Sequence, residues 1–270
     1  MIRPLRAGEA FLADVRAAPG PLDLWWLGQS GFLVAHEGRH LLLDPYLSDS
    51  LTHKYAGTDK PHERMTELVI EPEKLGFVDV VTASHAHTDH LDPDTLRALP
   101  GATLVAPRAH RELAAERSGR EPVTIDDGET IAVAGFEITA VPAAHEAIER
   151  DEAGHMLHLG YVIRCGETTI YHAGDTLPYT GMAERIGPVD LALLPINGRA
   201  PERRVAGNLT GEEAAALARA LPAGLVVPMH YEMFAFNTEP PDAFAAACER
   251  LGQPYRVLRA GESLAAHASR

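Results

Sequence analysis

The chain has 270 residues, of which 46% are hydrophobic and 23% charged, proportions that suit a globular protein with a sizeable core. Its 24 basic side chains against 38 acidic ones leave a formal net charge of −14, which argues against nucleic acid as a main partner, because phosphate-backbone binding draws on a surplus of lysine and arginine. Two cysteines, Cys165 and Cys248, are too few for a disulfide framework or a thiolate-rich zinc site, and no run reaches the roughly twenty apolar residues that a bilayer-spanning helix needs.

The first twenty residues carry acids and no continuous apolar region, so they do not read as a secretory signal, and the expected compartment is the cytoplasm. Glu9 to Ala17 has helical spacing. Three short strands follow at 22–28 (LDLWWLG), 31–37 (GFLVAHE) and 39–47 (RHLLLDPYL), with Gly38 at the tight connection between the second and third. From Ser48 to Phe77 the chain turns polar and irregular. A loop that long inside a compact domain is usually functional or mobile, and with Lys54, Lys60 and Arg64 it is the expected seat of specificity. Residues 78–84 (VDVVTAS) read as a buried strand, and 92–99 as a helix with Asp92 at the N-cap and Pro93 in the first helical position. A strand at 102–107 and a helix at 108–117 complete the first half. The second half predicts strands at 129–135, 136–143, 157–166, 167–174, 189–196 and 224–230, and helices at 210–221 and 241–251 opened by a capping residue or proline. Strand pairs inside and helices outside in both halves predict an α/β fold, two sheets face to face with helices over each. The economical reading is one domain over residues 1–270, with 48–77 as an insertion beside the site.

Ser84 to Asp92, SHAHTDHLD, packs three histidines and two acids into nine residues just after an apolar run. His85 and His87 are two apart, so an extended backbone throws both rings to one side, while Asp89 and His90 fall in the turn leading to the next helix. Imidazole with carboxylate suits zinc, iron or manganese, and the absence of thiolate argues against a purely structural zinc site. Three further ligand types, His145, Asp175 and His230, each terminate a predicted strand, where α/β architectures place ligand-binding groups. Four strand ends carrying the right residue types weigh far more than any one of them.

The string HAHTDH resembles the HxHxDH motif of the metallo-β-lactamase superfamily, followed in order by His145, by Asp175 in GDT and by His230, and the likeness runs over nearly the whole chain. The segments WWLGQSGFLV, LLLDPYLS, LGYVI, YHAGDT, PINGR and VVPMHYEMF further resemble the branch that includes the L-ascorbate 6-phosphate lactonases. The resemblance implies a four-layer αββα sandwich and two divalent metal ions, zinc or manganese. It places His85, His87 and His145 on one metal, Asp89, His90 and His230 on the other, and Asp175 across both, with Asp44 orienting a ligating histidine from behind. The iron-binding, oxygen-reducing members commonly carry an acid where this chain has His87, which favours hydrolysis. The implied activity is hydrolysis of a small anionic substrate, best matched by lactone opening with a hydroxide shared between the metals. Asp89 and Tyr231 are candidates for the proton donor. Hydrolysis of a small phosphodiester is the second reading, and a metal-binding protein without turnover the third. Asn197 and Arg199 lie just beyond a predicted strand end and are candidates for substrate contact, against the competing reading of an Asn-Gly turn. His172 is expected on a strand face, hydrogen-bonded or packed, and His155 and His158 at most on the rim. The expected partner is a small molecule, without nucleic acid or membrane, and self-association into a homo-oligomer is compatible with the sequence.

Overall fold

A computed structural model describes residues 1–18 and 20–265, and thirteen strands, numbered in chain order, occur among them. One sheet holds β1 (Leu22–Gly28), β2 (Gly31–His36), β3 (Arg39–Leu43), β4 (Val80–Thr82), β5 (Thr103–Pro107), β6 (Val123–Ile125) and β13 (Ser263–Ala265). Their spatial order is β13-β1-β2-β3-β4-β5-β6, antiparallel from β13 to β3 and parallel from β3 to β6. The second sheet holds β7 (Thr130–Val133), β8 (Phe136–Pro142), β9 (Leu159–Cys165), β10 (Thr168–His172), β11 (Leu191–Pro195) and β12 (Leu225–Met229). Its order is β12-β11-β10-β9-β8-β7, antiparallel from β7 to β10 and parallel from β10 to β12. Each half therefore follows one plan: a meander first, then parallel strands fed by crossovers.

Strand composition explains the layering. Every position of β1 and β11 is buried, as expected of strands covered on both faces. Helix α1 (Gly8–Arg16) turns Phe11, Leu12 and Val15 inward. Phe11 meets Trp25 of β1 edge-on at 6.4 Å, and the Trp25 indole donates to Asp14 at 2.9 Å. Helices α3 (Pro93–Arg97) and α4 (Arg111–Ser118) pack together, with α4 against β5. On the other side α6 (Gly211–Ala220) lies on β11 and β12 and packs against α7 (Asp242–Leu251). Helix α6 opens with a capping box in which the Thr210 hydroxyl accepts from the Glu213 amide while the Glu213 carboxylate accepts from the Thr210 amide. The four layers are thus helix, sheet, sheet, helix. Between them runs one continuous apolar core to which both sheets contribute, Phe32, Leu42 and Val81 from the first and Ile138, Tyr161 and Leu193 from the second. Direct hydrogen bonds also stitch the sheets near one edge: Tyr161 Oη donates to the Ala83 carbonyl at 2.8 Å, and Leu159 N to the Ser84 carbonyl at 3.0 Å.

The segment 48–77 is more ordered than its composition suggests. It contains α2 (Ser50–Lys54) and a 3₁₀ turn at Pro72–Leu75, and Met65 N donates to the Met233 carbonyl at 2.7 Å. Arg64 is turned away from a specificity role: its guanidinium bonds Asp49 at 2.9 Å and covers the Tyr46 ring. Strands β6 and β13 and helix α5 (Met182–Ile186) were not foreseen. At three, three and five residues they are too short to show a period. No described helix is long and apolar enough to cross a membrane.

Candidate metal centre

Five strands end along one edge of the sandwich, and each delivers a polar side chain there: Asp44 after β3, the His85–His90 segment after β4, His145 after β8, Asp175 after β10 and His230 after β12. The expected extended backbone at 85–87 is not what forms. Strand β4 stops at Thr82 and the chain turns, with His90 N and Leu91 N both donating to the His87 carbonyl, at 3.1 and 2.8 Å. The turn ends where Asp92 caps α3, its carboxylate accepting from Thr95 N. Arg117 of α4 braces the turn by donating to the carbonyls of Ala86 and Leu91.

Close approach and unusual backbone mark the same edge. Gly174 has φ +59°, and a Cβ there would sit 2.8 Å from the Leu159 carbonyl oxygen and from the Ser84 Cβ, so only glycine lets the Asp175 turn close on the histidine segment. Gln29, Asp44 and His230 also take left-handed φ values of 49°, 39° and 63°. Such conformations persist where the surroundings over-determine them and cluster at functional sites.

The structure brings all seven expected ligands together in two sets. In each, one ligand atom per residue lies within 4.8 Å of the others: His85, His87, His145 and Asp175 in the first, Asp89, His90 and His230 in the second. Asp175 reaches both, with Oδ1 3.3 Å from His90 Nε2 and Oδ2 3.3 Å from His230 Nε2 and 3.9 Å from His145 Nε2. Within the second set Asp89 Oδ2 lies 3.5 Å from His230 Nε2 and 3.7 Å from His90 Nε2.

The donor chemistry fits divalent ions. Buried His85 Nε2, His90 Nε2 and Asp175 Oδ1 have no hydrogen-bond partner among the described residues, although buried polar atoms are nearly always paired. Asp44, fully buried, explains why His90 is ready to ligate. Its Oδ1 accepts from Ser84 N at 2.9 Å, and its Oδ2 lies 2.6 Å from His90 Nδ1 and also accepts from the Ser84 hydroxyl. A carboxylate at Nδ1 holds a hydrogen there, so the neutral ring that ligation takes would turn its Nε2 lone pair toward the cluster once the Nε2 proton leaves.

Charge crowding shapes the protonation states. Burial, reinforced by the charge on His90, pushes the His85 pKa well below its usual value. Burial also opposes charge on His90 and His230, yet Asp175 and Asp89 outweigh it, holding His90 well above its ordinary value and raising His230 to about 9. In return, His90 and His230 hold Asp89 below the usual carboxylate range despite its burial, which suits a ligand better than a proton donor.

Three expectations are corrected. Tyr231 is not placed to donate a proton: it is buried against Trp26, ring centroids 4.5 Å apart, and its hydroxyl donates to the Leu258 carbonyl at 2.6 Å. Arg199 forms a two-pronged pair with Glu213 at 2.5 and 2.6 Å and lies outside the cavity beside the ligands. Asn197 is fully buried and also outside that cavity, donating to Asn237 Oδ1 at 3.1 Å. His172 packs within the core as expected, its Nε2 2.8 Å from the Ser30 carbonyl. His158 comes closer than its context suggested, its ring 5.3 Å from those of His85 and His145, and burial chiefly lowers its pKa to about 4.

The cavity measures about 400 Å³ and is bordered by His87, Asp89, His145, Asp175 and His230 on one side and by Lys54, Tyr55, Lys60, His62, Phe234, Phe236 and Asn237 elsewhere. Sequence reasoning passed over Gln29, whose Nε2 donates to Asp89 at 2.8 Å and lies 3.1 Å from His230 Nε2, along with His62 and Asn237. Their residue types and loop positions gave no signal; the glutamine between two glycines in LGQSG was the nearest to one.

Comparison with known proteins agrees with this geometry. A family model described as a β-lactamase superfamily domain matches residues 39–231. A UPF0173 metal-dependent hydrolase from Methanopyrus kandleri is 33% identical over 255 residues, covering 90% of this chain and 99% of the relative. Among solved structures, Igni18, a metallo hydrolase from Ignicoccus hospitalis, superposes with TM-score 0.66 at 25% identity, over 90% of this chain and 97% of that one. The isothiocyanate hydrolase from Delia radicum gut bacteria shares the fold, with TM-score 0.74 at 19% identity over 92% of this chain and all of the other. With its ligand set at the strand ends and these likenesses over nearly its whole length, the chain belongs to the β-lactamase superfamily, among the UPF0173 metal-dependent hydrolases.

Proposed function

We propose that this protein is a two-metal hydrolase that opens the ring of a small anionic lactone. The observation that carries the reading is the pair of ligand sets sharing Asp175 beside a cavity that also holds Lys54 and Lys60. Two divalent ions, zinc or manganese, would supply Lewis acidity toward a carbonyl oxygen and would make water nucleophilic at neutral pH. The chain's own groups would do the rest. Asp175 keeps the two sets in register, Asp44 fixes the His90 tautomer, and Gln29 holds the Asp89 carboxylate in place. The lysines give an acidic protein a local positive region for a carboxylate or phosphate on the substrate. A cavity of about 400 Å³ suits a small molecule rather than a polymer. The same lysines would equally suit a small phosphodiester, which is the second reading.

The test begins with metal analysis of protein purified with zinc or manganese, followed by turnover of a lactone panel and a chromogenic phosphodiester panel. Two equivalents of metal with lactone turnover are expected, and Asp175→Ala should reduce kcat/KM by about a thousandfold or more. Wild-type rates in Asp175→Ala would reject the site. Turnover of phosphodiesters alone would shift the assignment to the second reading, and turnover of neither, in loaded protein, would reduce it to metal binding.

A further inference from the structure

Away from the ligand set, the cavity wall carries two polar groups whose orientation the surrounding bonds determine. The His62 ring stacks on Tyr55 at 4.2 Å and meets the edges of Phe234 and Phe236 at 5.0 and 4.6 Å, so its plane is fixed. Its Nδ1 lies 2.9 Å from the Lys60 carbonyl, which can only accept, so Nδ1 carries the hydrogen and a neutral ring presents a lone pair at Nε2. Burial lowers the His62 pKa, consistent with a neutral ring at neutral pH. No hydrogen bond to Nε2 is formed among the described residues, and the ring borders the cavity.

Asn237 is the second group. Its Oδ1 receives Nδ2 of Asn197 at 3.1 Å and faces Nη1 of Arg203 at 3.4 Å. A guanidinium has no acceptor, so the atom opposite it must be the amide oxygen, and the Asn237 Nδ2 hydrogens are left for the cavity. Asn197 is held in turn by Nδ2 of Asn208, donating to its Oδ1 at 3.0 Å. The wall therefore offers one fixed acceptor and one fixed donor group in an aromatic frame.

We propose that His62 and Asn237 form a specificity subsite for a neutral substrate group that both donates and accepts a hydrogen bond, a hydroxyl or a secondary amide, with Asn197 and Arg203 positioning Asn237. The inference rests on the hydrolase reading for its substrate, and binding measurements separate the two. The probes are γ-butyrolactones substituted at the α-carbon with hydroxyl, acetamido or an alkyl group of similar size, together with their ring-opened acids. By calorimetry on metal-loaded protein, the hydroxyl or acetamido acid should bind about tenfold more tightly than the alkyl acid. The arm with the larger preference identifies the group read. His62→Phe and Asn237→Leu should each bring that ratio to within about twofold, while His62→Gln, still able to present an acceptor, keeps part of it. Asn197→Ala should lower the same binding ratio, because it leaves Arg203 alone to hold the Asn237 amide oxygen. Where His62→Phe fails to fold, Asn237→Leu and His62→Gln decide. Preferential binding without ring opening would support the subsite and count against lactone hydrolysis alone. Equal binding of all three acids, binding of none, or an undiminished ratio in the variants would overturn the subsite and leave the metal site standing.

Discussion

Replacing Asp44 by Asn changes one atom in a residue that is fully buried, and its consequences can be worked out bond by bond. The carboxylate accepts from Ser84 N at 2.9 Å through Oδ1 and from His90 Nδ1 at 2.6 Å through Oδ2. An asparagine tolerates the φ of 39° at this position, so backbone strain does not confound the result. Its amide has one acceptor where two are needed. If the NH₂ faces His90, two donors meet unless the ring moves its hydrogen to Nε2, which removes the lone pair from the metal site. If the NH₂ faces Ser84, a buried backbone N–H loses its acceptor, at a cost of about 1–3 kcal/mol. Partners of this kind behind a ligating histidine are worth about 10–100-fold in metal affinity, or roughly 1.4–2.7 kcal/mol. On the two-metal proposal, titration against a chromogenic chelator should show one of two equivalents weakened by that factor, the one that Asp89, His90 and His230 would hold, and the other much less affected. Two equivalents bound as tightly as by the wild type would refute both the tautomer argument and the role assigned to Asp44.

Metal uptake should also depend on pH with a definite sign. His90 and His230 are held protonated by Asp175 and Asp89, His230 up to about 9, whereas ligation takes the neutral ring, so binding should release protons and affinity should climb from pH 6 toward 9. In chelator-treated protein the sign reverses: a histidine with a folded pKa above its unfolded value stabilises fully below about 6.5, and that contribution fades as pH rises through about 9. Calorimetry in buffers of different protonation enthalpy measures the release, and an affinity flat over this range would contradict the proposed pairing. Tyr231→Phe should cost about 1–3 kcal/mol, because the buried Leu258 carbonyl loses its donor, and should leave kcat/KM within about twofold. A hundredfold fall in kcat at unchanged Tm would restore the tyrosine as a proton donor.

The candidate ligands were legible as a cluster because their residue types are distinctive and their positions, at strand ends, follow from hydrophobic patterning that β8, β10 and β12 bear out closely. How the ligands reach the site was less legible. Reading His85 and His87 as extended assumed that the apolar run before them continued as strand, but pairing with β3 and β5 ends at Thr82, and the two rings converge through a turn. The PINGR segment misled for a related reason. Which way Arg199 and Asn197 face depends on Glu213, Asn208 and Asn237, partners 11 to 40 residues away in sequence that no local pattern announces. Gln29, His62 and Asn237 are ordinary polar residues in loops, and tertiary folding alone brings them to the cavity.

Tyr231 shows why a side chain next to a ligand in the chain need not share its chemistry. His230 adopts φ 63°, a conformation that costs a non-glycine residue on the order of 1–3 kcal/mol. Something adjacent must hold it. The His230 amide donates to the Gln29 carbonyl at 2.9 Å, an oxygen that also receives the Trp26 indole at 3.0 Å, and Trp26 in turn stacks on Tyr231. Burying an aromatic side chain removes about 150–250 Å² from water, worth up to roughly 4–6 kcal/mol, which exceeds the strain. The Leu258 bond then fixes where that ring lies. The tyrosine is therefore an anchor on the residue after the ligand: it keeps the imidazole in a conformation the isolated chain would abandon, so that Nε2 lies 3.3 Å from Asp175. A small residue at 231 would release the strain by moving His230 away from Asp175, even though the substituted side chain never touched the cavity.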